Sequence, residues 1–346
     1  MSEYLFIIGT RPEITKIAPI ANKINCKILF TGQHFSKTML DGFFDLIKNK
    51  EIINLNLRNF KNFNQNDRLL AFEISKKIQN INPNKVIVQG DTNSTLIGAI
   101  AAKASNKKLY FIESGMRSFD ILQIEEYNRV ITSHLADINF CNHITNKKNL
   151  IDEGISKNKI FTTGSTVYSS VKLVDSNLNL SNEKDYILLT LHRPENVDSK
   201  ENLIKILNTI DKLNYETIFP IHPRTMEILE DDNIKNIKNI NFVKPKKYKD
   251  FLDLIKYSKF IISDSGGVQE EAAIYRKPLL IPRNYTERPE MLEIFNLLVK
   301  NNKQLLNESR KLINNSSKLQ DAVLDSNLLY GKEDSVEKII DVLKKH

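Results

Sequence analysis

Three carboxylates, Asp91, Glu113 and Glu125, stand in the segments QGDT, ESGMRS and EEYNR, at or just behind short apolar runs in the first half of the chain. A pocket that gathers several carboxyl groups can keep one protonated and another ionised, which is what proton removal and return require. Taken singly, each also serves as a helix cap or as a surface partner for Arg117 or Arg129; it is their joint position at strand ends that points to chemistry. Glu126 shares the third segment with Glu125 and is equally placed.

Two further segments suit an anion. Gly9-Thr10-Arg11-Pro12-Glu13 follows the first apolar run, and Lys16 comes five residues after Arg11. Pro12 fits a first helical position, so Arg11 sits at a helix N-terminus where a phosphate is also favoured. The same residues make an ordinary helix start with solvated charges. Ser263-Asp264-Ser265-Gly266-Gly267-Val268-Gln269-Glu270-Glu271 follows the run Phe260–Ile262 and opens a helix. Small residues there leave backbone N–H groups exposed for a diphosphate, and Glu271 can accept from a ribose hydroxyl. A tight capped turn is the plainer alternative. His192-Arg193-Pro194-Glu195-Asn196 and His222-Pro223-Arg224 also lie behind apolar runs.

These residues need elements to hold them. Tyr4–Ile8, Ile28–Phe30, Val86–Val88, Leu109–Ile112, Ile138–Cys141 and Ile160–Phe161 read as strands, divided by helical spacing such as Leu69–Ile78, Thr95–Ala104 and Val130–Leu135. The alternation restarts at Tyr186–Leu191 and runs through Thr217–Ile221, Asn241–Val243, Phe260–Ser263 and Pro278–Ile281. Short continuous apolar strands divided by helices predict βαβ units, parallel sheets covered on both faces, and ligands at the carboxyl ends of the strands. The fold class is therefore α/β, with two Rossmann-like doubly wound domains and a central cleft. The domains are predicted at 1–170, carrying the carboxylates, and 171–333, binding the nucleotide, with Val174–Asp185 as linker and a C-terminal helix in 334–346 packing back on the first domain.

The chain of 346 residues suits two domains. Its first apolar run has five residues, too short for a secretory core, and no run approaches a membrane span, so a cytoplasmic protein without membrane association is expected. Cys26 and Cys141 are too few and too far apart for a disulfide framework. The formal charge of +8 is spread over scattered lysines without stacking aromatics, which argues against a nucleic-acid partner. There is no G-x-G-x-x-G behind a strand, no P-loop, no H-E-x-x-H among the six histidines and no C-x-x-C, so nicotinamide, P-loop and zinc chemistry lack their marks.

The segments GTRPEITKIAP, TGQH, QGDT, ESGMRS, EEYNR, TGST, LLTLHRPEN, IHPRT, SDSGGVQEEA and TERPE occur in this order over nearly the whole chain. In this set the sequence resembles the non-hydrolysing UDP-N-acetylglucosamine 2-epimerases. The resemblance implies a GT-B-like domain pair, a UDP-sugar substrate, no cofactor or metal, and a homodimer. It implies interconversion of UDP-GlcNAc and UDP-ManNAc by elimination of UDP, through a 2-acetamidoglucal, with re-addition after protonation at C2. It places Asp91, Glu113, Glu125 and His192 in catalysis. It places Arg11, Lys16, Arg129, His222, Ser265, Gly266, Gly267, Glu271 and Arg288 on the substrate, Glu271 at the ribose.

Three departures stand out. The family's H-V-E-A-G is Phe111-Ile112-Glu113-Ser114-Gly115 here, the proline before the paired glutamates is Ile124, and T-G-N-T is Thr163-Gly164-Ser165-Thr166. They leave the carboxylates in place but bear on the sugar, and a modified UDP-HexNAc is an alternative substrate. Gln33 and His34 are followed by Phe35-Ser36-Lys37, so the second glutamine of the activating UDP-GlcNAc site in some bacterial members is missing and allosteric activation is not expected. A hydrolysing 2-epimerase, a glycosyltransferase of the same architecture and a non-enzymatic UDP-sugar binder are the competing readings.

Overall fold

The computed structural model describes residues 3–32, 44–55, 63–178, 184–221, 223–226, 228–229, 235–331 and 333–346. Gln33, His34 and His222 lie outside these residues. The chain divides into two compact units, one of Met1–Val174 with Leu329–His346 and the other of Asp175–Leu328.

The first unit is built on seven parallel strands: β1 Tyr4–Ile8, β2 Cys26–Phe30, β3 Ile52–Asn54, β4 Lys85–Gln89, β5 Lys108–Ile112, β6 Ile138–Cys141 and β7 Ile160–Thr162. Their order is β3-β2-β1-β4-β5-β6-β7. Strands such as YLFII are buried along their whole length because helices cover both faces, so they carry no polar alternation. Leu5, Ile7, Val86, Val88, Leu109 and Phe111 of the sheet pack with Leu70, Ile74 and Ile78 of the helix Phe63–Ile81 and with Ala99 and Ala102 of the helix Asn93–Ala104. The final helix, Ser335–Lys345, belongs to this unit: Val336, Ile339 and Leu343 are buried, and the Tyr4 hydroxyl donates to the Leu343 carbonyl at 3.4 Å.

The second unit has six parallel strands: β8 Ile187–Thr190, β9 Thr217–Pro220, β10 Ile240–Val243, β11 Phe260–Ser263, β12 Leu279–Ile281 and β13 Asn296–Leu298, in the order β10-β9-β8-β11-β12-β13. Both sheets are thus doubly wound, as the alternation of runs predicts. In each the chain reverses its direction of travel across the sheet, between β1 and β4 in one and between β8 and β11 in the other. The loops leaving those strands diverge at these points and open a crevice at the carboxyl edge, where such folds bind ligands. Among the described residues no helix is long and apolar enough to cross a membrane.

Candidate active site

In the first unit the reversal point is closed by Glu13. The helix Arg11–Ala21 starts directly behind β1 with Pro12 in its first turn. One oxygen of Glu13 accepts from the Gly9 amide at 3.0 Å, the Thr10 amide at 2.6 Å and the Thr10 hydroxyl at 2.7 Å. Its other oxygen accepts from the hydroxyls of Thr92 at 3.1 Å and Thr95 at 3.2 Å, across the crevice behind β4. Burial drives the Glu13 carboxyl up to about 7, against the opposing pull of these hydrogen bonds. Gly9 is required by close packing: a Cβ there would lie 2.1 Å from the Ser94 hydroxyl oxygen. Arg11 is partly buried, which lowers the proton affinity of its guanidinium.

Glu113 follows β5 with φ of 70°, in the left-handed region that a side-chain-bearing residue occupies at a cost. The carboxylate is buried and held from three elements. Lys16 Nζ lies 2.6 Å from both oxygens, Gln89 at the end of β4 donates its side-chain amide, and Asn142 behind β6 reaches it at 3.5 Å. Asp91, behind β4, is bound by Arg129 Nη1 at 2.5 Å, and its backbone carbonyl accepts from Asn128 at 2.9 Å. Arg129 and Asn128 belong to the helix Ile124–Leu135.

That helix also separates the two adjacent glutamates. Glu126 is buried and accepts from the Ser118 amide at 3.0 Å, the Phe119 amide at 3.1 Å and Arg129 Nη2 at 2.6 Å. Burial alone would raise its carboxyl, but Arg129 and the Ser118 donors outweigh it and hold the group below the usual range. Glu126 therefore anchors the loop 117–119, and Glu125 is the less buried of the pair.

In the second unit His192 leaves β8 beside Asp264 leaving β11. His192 Nδ1 lies 3.0 Å from Asp264 Oδ1, and Asp264 also accepts from the amides of His192 at 3.1 Å and Arg193 at 3.0 Å and from Asn196 Nδ2 at 2.9 Å. Burial pushes this carboxyl up, yet the charge and hydrogen bond of His192 with the other donors outweigh it and leave it at about 2. Ser265 precedes the helix Gly266–Ile274 in extended conformation, so the helix begins at the crevice with two glycines. A Cβ on Gly266 would meet Glu287 Oε1 at 2.3 Å and Arg288 Nη1 at 2.9 Å, whereas one on Gly267 would meet nothing nearer than the Ser265 hydroxyl oxygen at 4.0 Å. Neither packing nor a positive φ asks for glycine at 267.

Glu271, one turn into this helix, is buried and accepts from the Tyr248 hydroxyl at 3.0 Å. Arg288 is buried too, forked onto Glu270 at 2.8 Å and Glu287 at 2.7 Å.

The structure therefore joins Lys16 to Glu113 and Arg129 to Asp91 in one unit, and seats His192, Ser265, Gly266, Gly267 and Glu271 along the carboxyl edge of the other. Sequence reasoning passed over Glu13, Gln89, Tyr248 and Asp264. For Glu13 there was a signal, the T-x-x-E spacing of a capping box from Thr10.

The model of the UDP-N-acetylglucosamine 2-epimerase family matches residues 19–344. The chain belongs to this family. A UDP-N-acetylglucosamine 2-epimerase of Methanocaldococcus jannaschii is 37% identical over 338 residues, covering 90% of this chain and 92% of its own. A UDP-2,3-diacetamido-2,3-dideoxy-D-glucuronate 2-epimerase of Pseudomonas aeruginosa is 31% identical, with 99% of each chain covered. A crystal structure of the Methanocaldococcus jannaschii UDP-GlcNAc 2-epimerase with UDP-GlcNAc and UDP superposes with a TM-score of 0.88 at 36% identity over 99% of both chains. Membership in the 2-epimerase family makes this protein an isomerase of nucleotide sugars.

Proposed function

We propose that the protein interconverts UDP-GlcNAc and UDP-ManNAc by eliminating UDP to a 2-acetamidoglucal and adding it back after protonation at C2 from the other face. The observation that carries this reading is Glu113 at the carboxyl edge of the first sheet, its backbone in the left-handed region and its buried carboxylate bound by Lys16 and Gln89. No carbonyl conjugated to C2 acidifies its hydrogen, so the C1–O bond must loosen first and place positive charge at C1. Carboxylates stabilise that charge and then exchange the C2 proton; cations stabilise the departing diphosphate. Lys16 is bound to Glu113, and a diphosphate that draws this ammonium to itself leaves the carboxylate to act as a base. The helix start at Gly266 and Gly267 offers backbone N–H groups to the diphosphate, and Glu271 takes the ribose.

Proton NMR with UDP-GlcNAc in heavy water tests this. UDP-ManNAc with deuterium entering C2 of both sugars supports it; free ManNAc and UDP would instead mark the hydrolysing reaction. The 31% identity to an epimerase named for a diacetamido uronate favours a second substrate, a UDP-HexNAc modified at C3 or C6, to be offered in the same assay.

We infer that the active form is a homodimer. On three helices packed side by side, Phe72, Ile100, Ile124, Tyr127 and Ile131 are large, apolar and exposed on one side of the first unit. A second copy covering this face accounts for them. Light scattering on the wild type and on a Phe72→Asp, Ile131→Asp variant decides: a dimer that becomes a monomer supports the pairing, and an unchanged mass in both places the interface elsewhere.

A further inference from the structure

His192 and Asp264 stand 72 residues apart in sequence, just behind the two strands that flank the reversal point of the second sheet. Asp264 is fully buried and its oxygens are occupied by donors: two backbone amides, Asn196, and the imidazole Nδ1. A carboxylate so surrounded is rigid and acts only as an acceptor. The ring it holds is one-third exposed, so the pair has a buried end and an open end. Among the described residues, charged side chains on neighbouring segments include Arg193, Glu195, Glu270, Arg283, Glu287 and Arg288; Arg283 binds Glu195 at 3.1 Å, and Arg288 binds Glu287 at 2.7 Å and Glu270 at 2.8 Å.

We propose that Asp264 is a positioning residue for His192: it accepts the Nδ1–H as a fixed hydrogen bond and confines the ring's proton exchange to Nε2. An anionic acceptor at Nδ1 excludes the tautomer whose lone pair faces it. Nε2 then points away from the buried carboxylate, donating to a phosphate oxygen when protonated and accepting a proton when neutral. The catalytic use of Nε2 rests on the epimerase reading above; the tautomer does not.

The test is nitrogen-15 NMR of the histidine rings in the intact protein, with the His192 signal assigned by its loss in H192Q, combined with kinetics of Asp264→Asn. In the wild type the neutral His192 ring carries its proton on Nδ1. In D264N the amide can donate to Nδ1, the proton moves to Nε2, and kcat falls about 100-fold or more while the Kd for UDP stays within about threefold. A purely structural defect would lower UDP binding along with kcat and leave the tautomer alone. A wild-type ring protonated on Nε2 overturns the proposal, as does a D264N protein with unchanged tautomer and turnover. Should D264N not fold, the wild-type tautomer still decides. If the wild type leaves UDP-GlcNAc untouched, the reaction reading fails while the NMR result continues to judge the role of Asp264.

Discussion

Lys16 Nζ lies 2.6 Å from both carboxylate oxygens of Glu113, which join a helix behind β1 to the end of β5. A buried pair of this kind is retained only when geometry and further hydrogen bonds offset the loss of hydration, and Gln89 and Asn142 supply those bonds. Neutralising one partner without changing its size therefore separates charge from shape. Glu113→Gln keeps the volume and the acceptor for Gln89 but loses the base. Its kcat is expected to fall about 1,000-fold or more, with the Kd for UDP by calorimetry within about threefold of wild type. Full turnover in E113Q would remove Glu113 from the mechanism.

Glu13 gives a pH dependence with a definite sign. Its folded value of about 7 is raised from 4.5. The stability linked to it is fully present below the unfolded value and is lost as pH rises through 7. Glu13→Gln cannot ionise, so the difference in unfolding free energy between variant and wild type should move in the variant's favour by about 2–3 kcal/mol between pH 5 and pH 8. Titrations elsewhere cancel in that difference. Urea unfolding at the two pH values measures it, and a difference that does not change with pH would mean the carboxyl is ionised throughout.

How much of this was readable beforehand follows from what each feature depends on. Long buried strands such as β1 and β5 show as continuous apolar runs, since both faces meet helices. The edge strands β3, Ile52–Asn54, and β13, Asn296–Leu298, are three residues each with a polar end, and they left no such mark. Strand-end carboxylates could be read as a set, but their partners could not. Asp264 meets His192 only because β8 and β11 are neighbours, which is a fact of sheet order. Likewise Glu126 reads the same as Glu125 until Ser118, Phe119 and Arg129 close around it.

Tyr248 donates to Glu271 at 3.0 Å inside a buried pocket, and burial followed by the nearby Glu271 charge keeps the phenol protonated. The bond fixes one oxygen of the carboxylate that is proposed above to take the ribose. Tyr248→Phe should weaken UDP binding by about tenfold, consistent with one lost hydrogen bond to a charged group. It should affect 2′-deoxy-UDP less, because that ligand already lacks the hydroxyl. Equal losses for both ligands would detach Glu271 from the sugar and make the pair purely structural.

The two glycines that open the helix Gly266–Ile274 predict opposite outcomes for one chemical change. Gly266→Ala forces a methyl to within 2.3 Å of Glu287 Oε1, inside the buried group with Arg288 and Glu270, and should cost about 2 kcal/mol of stability. Gly267→Ala meets open space and removes a flexible residue from a first helical turn, so it should stabilise by about 0.5–1 kcal/mol. If the backbone at 267 is bare in order to admit a diphosphate, the same methyl should weaken UDP binding at least about tenfold. Thermal unfolding and calorimetry on both variants read the two effects separately. A G267A protein that is more stable and binds UDP as the wild type does would leave the glycine pair a packing feature of the helix start and move the diphosphate elsewhere.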